Sequence, residues 1–160
     1  MTEYEYSFRV KSLKPYIDYC IKNNYTLKSN NKQEGMVYRK RNKTLARVMI
    51  NTMPDGNVTK KIDFKDEDFS TAVLKERRES LPLNFTDEDA IKSILEFLGY
   101  KKYKSFIRTR TVYTKSNTVF ELDFYEQSKN QVIAIEGLKT EVDAVYKEIK
   151  NIENENKDSF

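Results

Sequence analysis

The sequence predicts an α+β chain built on eight antiparallel strands, curved or closed into a barrel, with about three flanking helices. Three observations predict it. Eight stretches alternate apolar and polar residues and are rich in β-branched and aromatic side chains. Short turn signals join most of them, and hairpin connections make neighbours antiparallel. Only three stretches carry helical spacing, and many antiparallel strands with few helices favour a barrel or a strongly curved sheet.

The strands are expected near 2–10, 34–42, 44–52, 57–65, 70–80, 104–115, 117–126 and 130–137. Asn42-Lys43, Pro54-Asp55-Gly56, Ser116-Asn117 and Ser128-Lys129-Asn130 read as the hairpin turns between them. The first helix, 13–22, repeats Leu13, Ile17, Cys20 and Ile21 on one face. The second, 87–98, has Thr86 to cap it and Asp89 to return the bond, a stripe of Ile91, Ile94, Leu95 and Leu98, and Gly99 to stop it. The third, 138–151, gathers Leu138, Val142, Val145, Tyr146 and Ile149. One domain is expected over 1–150, followed by a polar tail at 151–160.

Strand parity separates the chemistry from the packing. Residues two apart share a face. In the first strand Glu3, Glu5, Ser7 and Arg9 form one row and Tyr4, Tyr6, Phe8 and Val10 the other. Later strands repeat the split with Arg39 and Arg41, Arg77 and Glu79, Arg108 and Arg110, Glu121 and Asp123, and Glu136. One such row is an ordinary solvated face. Taken together, acidic pairs fall on the first and seventh strands and basic pairs on the others. A barrel interior lined this way suits a polyanion and its metal ions, because divalent metal relieves the repulsion of crowded carboxylates and arginine forks meet phosphate oxygens.

Composition narrows the chemistry further. There is no histidine among the 160 residues, which excludes Ser/His and Cys/His catalysis and imidazole metal sites. A metal must sit on carboxylates, which suits Mg²⁺ or Mn²⁺. The single cysteine, Cys20, lies on an apolar stripe without a base and reads as core. It permits no internal disulfide and fits a reducing, cytoplasmic setting. No stretch has the length of a membrane span and the start is acidic, so no membrane partner is expected. The net charge is +4, with basic runs at 37–48 and 101–115 that fit an anionic partner.

An N-terminal E-x-E, a central R-x-E, and the segment ILEFLGYKKYKSFIRTRTVY followed by VFELDF and IE occur in one order along residues 3 to about 137. In these features the chain resembles the CYTH superfamily, which comprises class IV adenylate cyclases, thiamine triphosphatases and inorganic triphosphatases and is also called the triphosphate tunnel metalloenzymes. The resemblance implies an eight-stranded tunnel that binds a triphosphate with Mg²⁺ or Mn²⁺. It implies Glu3, Glu5, Glu79, Asp123 and Glu136 as metal ligands, with Glu5, Asp123 and Glu79 also acting on the attacking water. Arg9 lies on the face of the signature and supplies charge near its lysine. The resemblance implies Arg39 or Arg41, Arg47, Lys61, Arg77, Arg108 and Arg110 as phosphate holders, with Lys60 the alternative to Lys61. Ser7 stands where the signature has lysine, Ala134 where the closing pair has its first glutamate, and Leu81 where the central motif has a further acid.

The expected function is metal-dependent hydrolysis of tripolyphosphate, thiamine triphosphate or ATP. One alternative is a cyclase making cyclic AMP and pyrophosphate. Another is a silent module binding a triphosphate, a nucleotide or an RNA 5′-triphosphate end. The chain is expected as a monomer or homodimer.

Overall fold

The computed structural model describes residues 2–41, 44–67 and 74–152, with the side chains of 2, 3 and 74–77 outside the description. Among the described residues nine strands form one antiparallel sheet. They are β1 (Thr2–Val10), β2 (Thr26–Lys40), β3 (Thr44–Thr52), β4 (Val58–Asp66), β5 (Leu74–Arg78), β6 (Leu83–Asn84), β7 (Lys101–Lys115), β8 (Thr118–Tyr125) and β9 (Gln131–Gly137). Their order across the sheet is β5-β1-β9-β8-β7-β2-β3-β4-β6. The eight expected strands are all present, and β6 is a two-residue addition against β4.

The sheet curls until its two ends meet without a continuous ladder. Lys65 of β4 makes one isolated antiparallel bridge with Glu79, just beyond β5. Beside it, the Ser80 N–H donates to the Phe64 carbonyl at 2.9 Å and the Phe64 N–H donates to the Ser80 hydroxyl at 2.8 Å. The seam is thus held by a few bonds, and the sheet encloses a tunnel.

Three helices lie against the outside: α1 (Lys14–Lys22), α2 (Glu88–Phe97) and α3 (Lys139–Ile149). This inverts the usual arrangement of a small barrel, because the apolar rows of the strands face outward under the helices. One apolar cluster joins Val10, Phe120, Leu122, Ile133 and Ile135 of the sheet to Tyr16 and Cys20 of α1 and Val142 and Ile149 of α3. A second joins Tyr38, Ala46, Val48 and Ile62 to Leu95 of α2 and to Tyr100. With both cores outside, the polar rows are left to the lumen.

Several local expectations change. β2 starts at Thr26, eight residues before the expected start, and β7 starts at Lys101. The stretch TLKSNNKQ has no apolar alternation, and its backbone is ordered by pairing with β7 through Gln33↔Arg108 and the partners beyond. Asp87, not Thr86, caps α2, accepting the Ala90 N–H at 3.0 Å. Gly99 follows that helix with φ +89°, a conformation glycine adopts without strain. The expected stripe of α2 is only partly covered: Leu95 is buried, while Ile94 and Leu98 are exposed. In α1, Tyr16 joins Cys20 in the core and Ile21 points to solvent. In the third helix Leu138 lies at the N-cap and is exposed. The Asn42-Lys43 turn, residues 70–73 of the expected fifth strand, and the tail beyond 152 lie outside the described residues.

Candidate active site

The lumen holds a cavity of about 770 Å³. Its charged lining, among the described residues, comprises seven bases, Arg9, Arg47, Lys61, Lys65, Lys104, Arg108 and Arg110, and six acids, Glu5, Asp63, Glu79, Glu121, Asp123 and Glu136. The formal sum is one positive charge, so the interior is nearly self-neutralised.

Strand register explains how the acids meet. Glu5 of β1 pairs with Glu136 of β9, and Ser7 pairs with Ala134. Ala134 in turn pairs with Glu121 of β8. Three adjacent strands therefore bring Glu5, Glu121 and Glu136 together, with one carboxylate oxygen of each within 4.8 Å of the others. Oxygen-only donors at this spacing fit a hard divalent cation such as Mg²⁺ or Mn²⁺.

Arginines face the remaining acids. Arg110 donates Nε to Asp123 Oδ1 and Nη2 to Oδ2, both at 2.8 Å, and Nη1 to Glu121. Arg47 forks onto Asp63 at 2.8 and 2.5 Å and reaches Glu79 at 2.5 Å. Arg108 is buried, donating to Gln33 Oε1 at 2.7 Å and to the Tyr125 hydroxyl at 3.0 Å. Lys65, also buried, stands 3.7 Å from Glu5 and 4.0 Å from Glu79.

These neighbours set the charges. Burial pushes the Glu121 carboxyl up, but the Arg110 guanidinium, Glu136, Arg108 and Lys65 together outweigh it and hold the pKa down. Burial lowers Arg108, as does the adjacent positive charge of Arg110. Arg110 itself is raised because Glu121 and Asp123 overcome its burial. The charges interlock: Asp63 and Glu79 hold Arg47, Glu121 and Asp123 hold Arg110, and Lys65 stands beside Glu5 and Glu79.

The residues expected from sequence fall into three groups. Glu5, Glu79, Asp123, Glu136, Arg9, Arg47, Lys61, Arg108 and Arg110 line the cavity. Lys60, the alternative to Lys61, points outward and pairs with Glu88 at 2.9 Å. Arg39 and Arg41 are not among the lining residues. Arg39 has the parity of Gln33 and Val37 but lies at the end of β2, where it pairs with Glu67 and stacks 3.6 Å from the Tyr103 ring centre. Arg41 is exposed in the turn that follows. Glu3 pairs with Arg77 in the β1–β5 register, and both side chains lie outside the described ones.

Within the lining the contacts of the expected ligands divide in two. Glu79 and Asp123, expected as metal ligands, hold Arg47 and Arg110, and Glu121 joins Glu5 and Glu136 instead. Lys65, Asp63, Gln33, Phe106 and Tyr125 also line the cavity and were not anticipated. Tyr125 shares the face of Glu121 and Asp123, so parity alone could have found it. Gln33 could not be found without the β2–β7 pairing.

No family model matches the chain, and no curated protein matches it. Solved structures do. A protein of Pyrococcus horikoshii OT3 superposes with a TM-score of 0.71 at 19% identity, covering 96% of this chain and 89% of that one. A Hippeastrum protein, described as a candidate adenylyl cyclase with a dominant triphosphatase activity, superposes with a TM-score of 0.64 at 15% identity, covering 91% and 87%. A chain of the Mediator head module of Schizosaccharomyces pombe gives 0.67 at 12% identity, covering 94% and 95%. At these identities the likeness establishes the fold, which is the tunnel that the resemblance to the CYTH superfamily implied.

Proposed function

We propose that the chain is a divalent-metal-dependent phosphohydrolase that binds the triphosphate of its substrate in the tunnel. One observation carries the reading: a three-carboxylate group and a set of arginines and lysines line the same cavity. The likeness to a Hippeastrum protein with triphosphatase activity supports the same class.

Glu5, Glu121 and Glu136 would hold Mg²⁺ or Mn²⁺. When bound, the cation supplies charge neutralisation for phosphate oxygens and for the charge that builds up during displacement. The chain's own groups do the rest. Among the described residues, Lys61, Arg9 and Lys104 line the cavity without an acid partner and offer the first contacts for phosphate. Arg47 and Arg110 lie deeper, held in place by Asp63, Glu79 and Asp123, so their forks meet the substrate preorganised. Buried Lys65 keeps Glu5 and Glu79 from repelling each other. Glu5 and Asp123 would orient water against the terminal phosphorus. Little covalent chemistry is required of the protein, because positioning and electrostatics supply most of the rate.

A second reading is supported by the near-neutral lining: a tunnel that binds a triphosphate and does not cut it. Phosphate release from tripolyphosphate, thiamine triphosphate, ATP and a 5′-triphosphate RNA, each with Mg²⁺ and with Mn²⁺, separates the two. Cyclic AMP is measured in the same ATP reactions. Metal-dependent release that Glu5→Gln abolishes is the expected result. Silence across the panel, with tripolyphosphate still raising the melting temperature, would establish the binding reading instead.

A further inference from the structure

Half of the large apolar side chains that the described residues leave exposed gather on one outer face. They are Leu81, Leu83, Ile94, Phe97 and Leu98, exposed from 46% at Leu98 to 92% at Phe97. The other half stand singly at separate places in the chain.

β6 and α2 frame the patch. Leu83 stands opposite Ile62 of β4, and Ile62 belongs to the cluster packed under α2. Leu83 therefore lies on the sheet's outer face. Leu81 shares its parity, while Pro82 between them lines the cavity. α2 runs along β4 in the strand's own direction. Glu88 at its start pairs with Lys60, and Tyr100 just past its end meets the Phe64 ring with centroids 5.7 Å apart. Leu95 faces the sheet. The right-handed turn of the helix then sets Ala90, Ile94, Phe97 and Leu98 on the flank toward β6. A shallow apolar groove results between that flank and the two leucines.

The flank is complementary to itself. Ile94 is midway in sequence between Ala90 and Leu98, and also midway between Asp87 and Lys101. A two-fold axis at Ile94 would lay α2 antiparallel beside the α2 of a second copy. Small Ala90 would then face Leu98, and Asp87 would face Lys101, in both directions at once. Asp87 caps α2 through Oδ1, which leaves Oδ2 to meet the lysine. Lys102 adds a second exposed cation at the same end. The patch leaves open on the order of 500 Å² per copy, at the upper end of what monomers show. Two copies together reach about 1,000 Å², where specific interfaces begin.

We propose that the chain forms a two-fold homodimer through the α2–β6 face, with Ile94 on the axis. The inference goes beyond the chemistry of the tunnel, because the patch lies on the outer wall and leaves the lumen lining untouched.

The test is sedimentation velocity over about 1–100 μM, the range expected of a small interface. Wild type should reach twice the 19.0 kDa chain mass. Phe97→Glu places a charge in the contact and should raise the dissociation constant at least about tenfold. Leu27→Glu, at an exposed leucine of β2 outside the patch, should change nothing. Circular dichroism checks that both variants fold. Ile94→Cys tests the axis itself, because a residue there meets its own copy. Mild oxidation should join two Ile94→Cys chains by a disulfide and leave Val58→Cys chains apart. Cys20 is buried and does not interfere. A wild-type chain that stays at 19.0 kDa would overturn the inference and give the groove to an unlike partner. So would a dimer that either survives Phe97→Glu or fails to cross-link through Ile94→Cys.

Discussion

Glu121 stands directly across the β8–β9 ladder from Ala134. Ala134 is the position at which the closing motif lacks its first glutamate, and side chains directly opposite on a sheet face lie about 5 Å apart. From that position Glu121 comes together with Glu5 and Glu136 in a group of three carboxylates.

Metal should stabilise the protein through that group. At a Mn²⁺ concentration about 100 times its dissociation constant, the gain is about 2.7 kcal/mol, a rise of roughly 5–10 °C in melting temperature for a chain of this size. Glu121→Gln should remove most of that rise. Glu79→Gln, which disturbs Arg47, should lower the starting temperature and keep the metal-induced rise. Differential scanning fluorimetry with and without Mn²⁺ distinguishes the two.

Phosphate affinity should divide the basic residues by their place. Lys61→Ala should weaken tripolyphosphate binding by about tenfold or more, the usual worth of a hydrogen bond to a charged group. Arg39→Ala should leave it within about twofold, because Arg39 is engaged by Glu67 at the end of β2, away from the cavity lining. Calorimetric titration of both variants measures the difference.

Acid should unfold the metal-free protein partly through Glu121. Its pKa falls from the ordinary 4.5 to about 2 in the folded chain, with burial opposing the shift and Arg110, Glu136, Arg108 and Lys65 together outweighing it. A depressed folded pKa stabilises above the unfolded value, and that contribution is lost as pH falls from about 4.5 toward 2. Glu121→Gln should flatten the stability curve in that window, which urea melts at successive pH values would record.

Cys20 should behave as core. It is fully buried, and burial pushes its thiol up to about 12, so almost no thiolate is present at neutral pH. Alkylation by iodoacetamide should be negligible in native protein and rapid in denaturant. Fast labelling of the native chain would show that α1 opens readily.

Most of the fold could be read from alternation, because each strand of this tunnel has one apolar face that must be covered. What alternation could not supply was pairing. Thr26–Gln33 carries no strand pattern and is ordered by β7, and that pairing brings Gln33 to Arg108. Parity placed Glu5, Glu136, Arg108 and Arg110 on one side of the sheet. It could not distinguish Lys61 in the lumen from Arg39 at the end of its strand, since both have inward parity and only depth along the tunnel separates them. Nor could it tell which acids would be drawn to arginine. Asp123 and Glu79 are, and Glu121 became visible as the third member of the carboxylate group only once β8 and β9 were in register.

The most direct measurement is anomalous diffraction from crystals grown with Mn²⁺ and tripolyphosphate. A manganese peak within bonding distance of the Glu5, Glu121 and Glu136 carboxylates, with phosphate density reaching toward Arg110 and Lys61, is the predicted result. A tunnel without manganese, or manganese bound only outside it, would contradict the account.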